Sequence, residues 1–505
     1  MEFKRPHTLM VQGTTSDAGK SILVTALCRI LARNHISVAP FKPQNMALNS
    51  AVTAEGGEIG RGQAVQADAC YLDASIKMNP ILLKPNSDQG SQVIVNGLSI
   101  GNMKAKEYHR FKPQLMKQVV SAYESLQQEY QAVIVEGAGS PAEINLREHD
   151  IANMGFAETI DCPVIIVADI DRGGVFAHLY GTYALLSPTE QKRIKGFVIN
   201  RFRGDVTLLD SGLQWLREKT GVPVLAVIPF VKDLHIEAED SLSQGQFTNL
   251  GSNQQLKIVV PTYPRTSNHT DFDILRMHPQ VDCQFAKDSS GFSGADLIIL
   301  PGTKNVRSDL QWLKDSGWQS IIQRHLRLGG KVIGICGGYQ MLGQWIHDPY
   351  AVESEAGSTR GLELLAMETT LAENKTLRNV TGQLLNTNMH ETSAESVAVS
   401  GYEIHAGESQ GPDLDKPLFS LVNKANVDDV FVDGAQNEQG DVVGTYVHGM
   451  FDDPQLLEYW LQWAGLEHSQ QFDYAGYKDA QINKLADEVE KVLPLNHLKR
   501  LLGMP

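Results

Sequence analysis

A chain of 505 residues favours several domains over one, and a hydrophobic content of 42 % is ample for sizeable cores. The formal charge of −15 at pH 7 argues against a general surface for nucleic acid or anionic lipid. Five cysteines (Cys28, Cys70, Cys162, Cys283 and Cys336) show no C-x-x-C spacing, so they predict neither a zinc site nor a disulfide framework.

The first residues lead straight into a strand without an apolar signal core, and no apolar run approaches ~18 residues, so the expected setting is the cytoplasm. Thr8–Gln12 reads as a short strand, Gly13–Ser21 as a glycine loop, and the apolar patches at Ile22, Leu23, Leu27, Ile30 and Leu31 as a helix. That order is the context a phosphate loop requires. The backbone of Gly13, Thr14, Thr15, Ser16, Asp17, Ala18 and Gly19 turns N–H groups inward around phosphate oxygens, Lys20 supplies charge, and Ser21 can ligate Mg²⁺. The loop is one residue longer than the usual spacing, because its first glycine is Gly13.

A strand ending at Phe41 follows, then a polar loop containing Lys42, Asn45 and Asn49. Glu58–Cys70 is expected as a helix, and residues 92–131 as a strand, a turn and a long helix. Four apolar residues from Ala132 make a buried parallel strand ended by Glu136. A carboxylate at the carboxyl end of such a strand, across from a phosphate loop, suits Mg²⁺ held by a nucleotide; Glu143 and Asn145 are further pocket candidates. Later strands end in Asp169-Ile170-Asp171-Arg172, in Asn200 with Arg201 and Arg203 behind it, and in Pro229-Phe230. Strands alternate with helices over residues 1–232, which predicts a parallel sheet with helices on both faces.

Residues 233–255 are polar and read as a linker, after which a second α/β pattern starts at Leu256. A buried strand runs into Pro301-Gly302-Thr303. Lys331–Gly343 then reads as a strand, a glycine-flanked cysteine and a helix start. A nucleophile at such a strained turn needs small neighbours, and the helix start lowers a thiol pKa. Residues 351–400 show no motif. Gly401–Ser409 is a polar strand containing Glu403 and His405, and Asp441–Phe451 is a β-rich run ending in His448 and a glycine. Cys336 with a histidine about a hundred residues downstream fits a thiolate–imidazole pair. The second domain is expected over 256–455, with a helical extension over 456–505.

The Cys336 and His448 stretches together resemble the class I glutamine amidotransferase domain. The resemblance implies that Cys336 attacks the side-chain amide of glutamine, releases ammonia and forms a thioester that water clears. It also implies an oxyanion hole from the N–H groups of Gly302 and Gly337. That family places a glutamate two residues after the histidine; here the position is Met450, whose thioether is a weak acceptor. His448 is therefore expected to be oriented by a backbone carbonyl, a water or a carboxylate from another segment, with Glu403 as the named candidate.

The first half resembles dethiobiotin synthetase and the cobyric and cobyrinic acid amide synthetases, which use ATP to activate a carboxylate. Lys42 matches their second-strand lysine, Glu136 their metal ligand and Asn200 their adenine contact. Gln44–Ser50 is similar to the N-M-x-L-N-S signature of the cobyric acid synthases. What this implies is ATP- and Mg²⁺-dependent, glutamine-hydrolysing amidation of the b, d, e and g carboxylates of adenosylcobyrinic acid a,c-diamide. Lys42, Asn45, Asn49, Arg172, Arg201 and Arg203 are the expected substrate contacts, and neither nucleic acid nor membrane is an expected partner. The sister a,c-diamide synthases are the nearest rival, against which Gln44–Ser50 and Asn200–Asp205 speak. A partition-type nucleotide switch with an inactive amidotransferase module is the rival of another class. Its usual early loop lysine has no counterpart between Gly13 and Gly19.

Overall fold

In this computed structural model, which describes residues 7–86, 90–237, 255–290, 292–353, 355–385 and 397–505, the apolar runs of the first half pair as one sheet. Its strands are β1 (His7–Gly13), β2 (Val38–Phe41), β3 (Ala132–Glu136), β4 (Val164–Asp169), β5 (Ile194–Phe202) and β6 (Val224–Pro229). The order is β6-β5-β4-β1-β3-β2, with every neighbouring pair parallel. Successive side chains take opposite faces. Leu9 and Val11 pack with Leu23, Leu27 and Ile30 of α1 (Lys20–Arg33), while Met10 packs on the other side with Leu115, Val119 and Leu126 of α2 (Ala105–Glu129). Burial on both faces is why these strands read as unbroken apolar runs. The segment expected as a helix over Glu58–Cys70 is a short strand, Glu58–Gly60, followed by a helix, Arg61–Ala69.

The second unit has its own parallel sheet, built from β7 (Leu256–Pro261), β8 (Val281–Ala286), β9 (Leu297–Leu300) and β10 (Lys331–Ile335) with a fifth strand below. The motif-free stretch contributes β11 (Glu368–Leu384), which runs antiparallel to β12 (Ala398–Gln410) in a second sheet. The fifth parallel strand is β13 (Val442–Thr445), and β14 (Val447–His448) crosses to pair with β12. The parallel order is β8-β7-β9-β10-β13, with Ala435–Gln436 antiparallel at the edge.

The two units are not contiguous in sequence. The first comprises Met1–Ala47, Glu58–Glu237 and Gly476–Pro505; the second comprises Leu48–Gly57 and Ala238–Ala475. The strap Leu48–Gly57 thus belongs with the second half: Val52 packs with Leu377, Tyr402 and Ile404, and Asn379 Nδ2 donates to Thr53 O at 2.8 Å. Residues 456–505, read in sequence as one extension, are shared between the units. Trp460 and Trp463 lie in the core of the second unit, whereas Ile482, Leu485, Ala486 and Val489 join the α1 face of the first. Most of the expected linker, residues 238–254, lies outside the described residues. Among the described residues, no helix is long and apolar enough to cross a membrane.

The tail is tied to the first unit by a buried carboxylate. Glu237 accepts from Arg61 Nε at 2.6 Å and faces Lys478 Nζ at 3.3 Å. Burial alone would raise its pKa, but Arg61 and Lys478 hold it at about 2, below the ordinary 4.5. A depressed folded value means that this stabilisation is complete above pH 4.5 and is lost as the pH falls through about 2. Glu237→Gln is expected to destabilise the first unit by roughly 3 kcal/mol at neutral pH. A lower urea midpoint checks it, and the difference from the unsubstituted protein should shrink on acidification.

Candidate functional site

In the first unit, β1 ends at Gly13, the loop curls over, and α1 starts at Lys20. The Lys20 ammonium donates to Thr15 O at 2.8 Å, Ser16 O at 3.0 Å and Gly139 O at 2.9 Å, so the loop wraps around it. Gly19 has φ 96°, and a Cβ there would stand 2.0 Å from Asn200 Nδ2, so the position admits only glycine. The Asn200 amide donates to Ala18 O at 3.2 Å, which brings the end of β5 onto the loop.

Glu136, at the end of β3, is buried beside the loop. It accepts from Ser21 Oγ at 2.7 Å, from Gln66 Nε2 at 2.5 Å and from Lys42 Nζ at 3.0 Å. Burial works against its charge, yet Lys42, with Ser21, Gln66 and Lys20, keeps it below the usual carboxylate range. Ser21 Oγ and the Glu136 carboxylate are adjacent hard oxygen donors next to a phosphate-type loop, and this donor chemistry fits Mg²⁺ carried in on phosphates. Asn45 is buried nearby in sequence and donates to Gln63 Oε1 at 2.8 Å. The three expected substrate arginines are each tied to an aspartate: Arg172 to Asp17 at 3.0 Å, Arg201 to Asp169 at 3.0 Å and Arg203 to Asp171 at 2.9 Å. Arg203 also stacks 3.3 Å above the Phe230 ring. Asn49 belongs to the second unit, where its Oδ1 accepts from His269 N–H at 3.3 Å.

In the second unit, β10 delivers Cys336 to the start of α3 (Gly337–Leu342) with φ 52° and ψ −109°, a strained elbow. Its N–H donates to Thr445 O at 2.8 Å, which fixes the elbow against β13. The neighbouring helix start is pressed so closely onto β9 that a Cβ on Gly338 would lie 2.0 Å from Leu300 O. The sulfur is 3.7 Å from Ile404 O, and it is one of the two groups that raise the pKa of His448. Gly302 flanks the same imidazole: a Cβ there would stand 3.2 Å from His448 Cε1. Gly337 packs on Thr303, the residue after Gly302, so the two expected oxyanion-hole glycines lie on adjoining segments beside Cys336.

The group that orients His448 is Asp271, which the sequence reading missed. Asp271 Oδ2 accepts from His448 Nδ1–H at 2.7 Å, and Oδ1 accepts from Gly449 N–H at 3.1 Å. Glu403, the named candidate, does not fill this role. It lies opposite Val447 rather than His448 in the strand register, and Arg378 directly across β11 takes its carboxylate. Burial would depress His448, but the Asp271 carboxylate and then the Cys336 sulfur lift it to about 10. The result is a buried thiol, imidazole and carboxylate brought together, an arrangement that can produce a thiolate nucleophile and return a proton to a leaving amine.

Comparison with known proteins finds a different family for each half. Residues 9–243 match the family described as CobQ/CobB/MinD/ParA nucleotide binding domain, and residues 257–456 match CobB/CobQ-like glutamine amidotransferase domain. Among solved structures, the chain is similar to PurLQS from Thermotoga maritima, at 15 % identity over 47 % of this chain and 99 % of that one, with a TM-score of 0.30. A glutamine amidotransferase matches at 13 % identity over 41 % of this chain and 99 % of that one, with a TM-score of 0.28. The signal recognition particle receptor FtsY from Elizabethkingia anophelis, in complex with GDP, matches at 13 % identity over 44 % and 57 %, with a TM-score of 0.27. Likenesses at that level bear on neither substrate nor reaction. The family matches are similarities of the two halves, one to a CobQ/CobB/MinD/ParA nucleotide binding domain and the other to a CobB/CobQ-like glutamine amidotransferase domain.

Proposed function

We propose that the chain is a cobyric acid synthase, which hydrolyses glutamine and uses ATP to amidate the b, d, e and g carboxylates of adenosylcobyrinic acid a,c-diamide. The observation that carries the reading is the presence on one chain of a phosphate loop with its buried Glu136 and a Cys336–His448–Asp271 group. The matched families and the Gln44–Ser50 segment support the corrinoid substrate.

A carboxylate resists attack by ammonia because its leaving group would be oxide. Transfer of the γ-phosphoryl group of ATP to a carboxylate oxygen gives an acyl phosphate and ADP. Ammonia then adds to the carbonyl carbon, and phosphate leaves with the C–O bond electrons as nitrogen loses a proton. Lys20 and the loop N–H groups would hold the transferring phosphate, Ser21 and Glu136 would hold Mg²⁺, and that ion would supply positive charge against the phosphates. Cys336 supplies ammonia from glutamine through a thioester, with His448 as base and then acid.

The test is mass spectrometry of the corrinoid a,c-diamide after incubation with ATP, Mg²⁺ and glutamine. Up to four successive replacements of hydroxyl by amino are expected. Turnover of cobyrinic acid but not of its a,c-diamide would instead identify the sister activity. Lys20→Ala should remove synthesis from glutamine and from ammonium alike, by about 10³-fold or more, because its charge sits where phosphate transfers. Unchanged ammonium-supported turnover in that variant would overturn the assignment of the loop.

A further inference from the structure

Asn268 precedes the turn His269–Phe272 that presents Asp271, and it holds a left-handed backbone with φ 53° and ψ 38°. The strap fixes which way its side-chain amide points. Ser50 N–H donates to Asn268 Oδ1 at 3.1 Å, so Nδ2 is the end that faces His448 Nε2, at 3.4 Å. With His448 Nδ1–H committed to Asp271, Nε2 is the nitrogen that exchanges a proton with the thiol.

We propose that Asn268 is a positioning residue that restrains this base, and that the strap Leu48–Gly57 holds it in the restraining orientation. The proposal rests on the reading of Cys336 and His448 as nucleophile and base. A donor aimed at Nε2 favours the neutral ring, because in the imidazolium two donors would face each other. The other groups around the ring are accounted for. Asp271 and the Cys336 sulfur favour the imidazolium. Glu403 is engaged by Arg378, and burial holds His405 neutral, down at about 3. Tyr402 stacks its ring on the imidazole at 5.2 Å. Asn268 is thus the contact that opposes proton transfer from the thiol.

The strap grips the turn twice, since Asn49 accepts from His269 N–H in addition to the Ser50 contact. Along the chain, the strap lies between Lys42, which is paired with Glu136, and Glu58, which is paired with Lys84 at 2.7 Å.

The test is the pH midpoint of Cys336 alkylation by iodoacetamide in the full chain, read by mass spectrometry of the Cys336 peptide. Asn268→Ala and Asn268→Leu should each lower the midpoint by about one unit, with glutaminase in the absence of ATP rising about tenfold. Asn49→Ala, which loosens the strap without touching Asn268, should move the midpoint in the same direction by less. An unchanged or higher midpoint in all three variants overturns the proposal. Failure of the underlying reading looks different: the midpoint of the unsubstituted protein would then be that of an ordinary thiol and would not respond to His448→Ala.

Discussion

Cys336→Ala should lower release of glutamate from glutamine by on the order of 10⁶-fold while leaving ammonium-supported amide formation intact. The sulfur is the only atom lost. Alanine keeps the Cβ, so the strain at φ 52° is no worse than before, and the N–H bond to Thr445 O does not depend on the side chain. The elbow and the close approach of Gly338 to Leu300 should therefore survive, and the thermal transition should not move. What disappears is the proposed nucleophile, which would convert glutamine into thioester and ammonia. Free ammonia needs no thiolate, so high ammonium at mildly alkaline pH should restore product. A folded variant that ammonium fails to rescue would show that Cys336 serves the synthetase chemistry as well, and the proposed division of labour would fall.

What the sequence made legible was local or doubly buried. The parallel strands stood out because burial on both faces leaves uninterrupted apolar runs, as in Ala132–Val135 and Val164–Ala168. The phosphate loop and the Cys336 elbow were readable because each is a contiguous strand, turn and helix whose small residues have steric causes. Asp271 was not readable. It lies 177 residues from His448, in a polar run that resembles any loop between β7 and β8, and only the folded chain brings it to the imidazole. Glu403 looked better placed because it lies on a polar strand near the histidine, but register decides what a side chain faces. One step along β14 set it against Val447 and left its carboxylate to Arg378. β11 was invisible because its residues are mostly polar on both faces, so no period-2 pattern arises. The strap escaped for a related reason. Nothing in Leu48–Gly57 says that this piece of the first half completes the second.

Asp271→Asn should reduce glutaminase by about 10²- to 10⁴-fold without displacing the imidazole. The argument turns on Gly449. Its N–H already donates to Asp271 Oδ1, so the amide oxygen of the variant is expected to stay at that position. The amide nitrogen then takes the place of Oδ2 and presents a donor to His448 Nδ1, where the native carboxylate presented an acceptor. The ring has to accept at Nδ1 and therefore carries its proton on Nε2, the nitrogen that should receive the thiol proton. Geometry is kept and the tautomer is inverted. The variant also loses the main charge that lifts His448 to about 10 from an ordinary 6.5. A raised folded pKa contributes stability that is complete below pH 6.5 and is lost as the pH rises through about 10. The unsubstituted second unit should therefore lose stability between those values, and Asp271→Asn should flatten that slope. Chemical denaturation across this alkaline range, together with the glutaminase rate, tests both halves of the argument. A variant with near-native glutaminase and an unchanged alkaline slope would mean that Asp271 neither sets the tautomer nor holds the proton on His448.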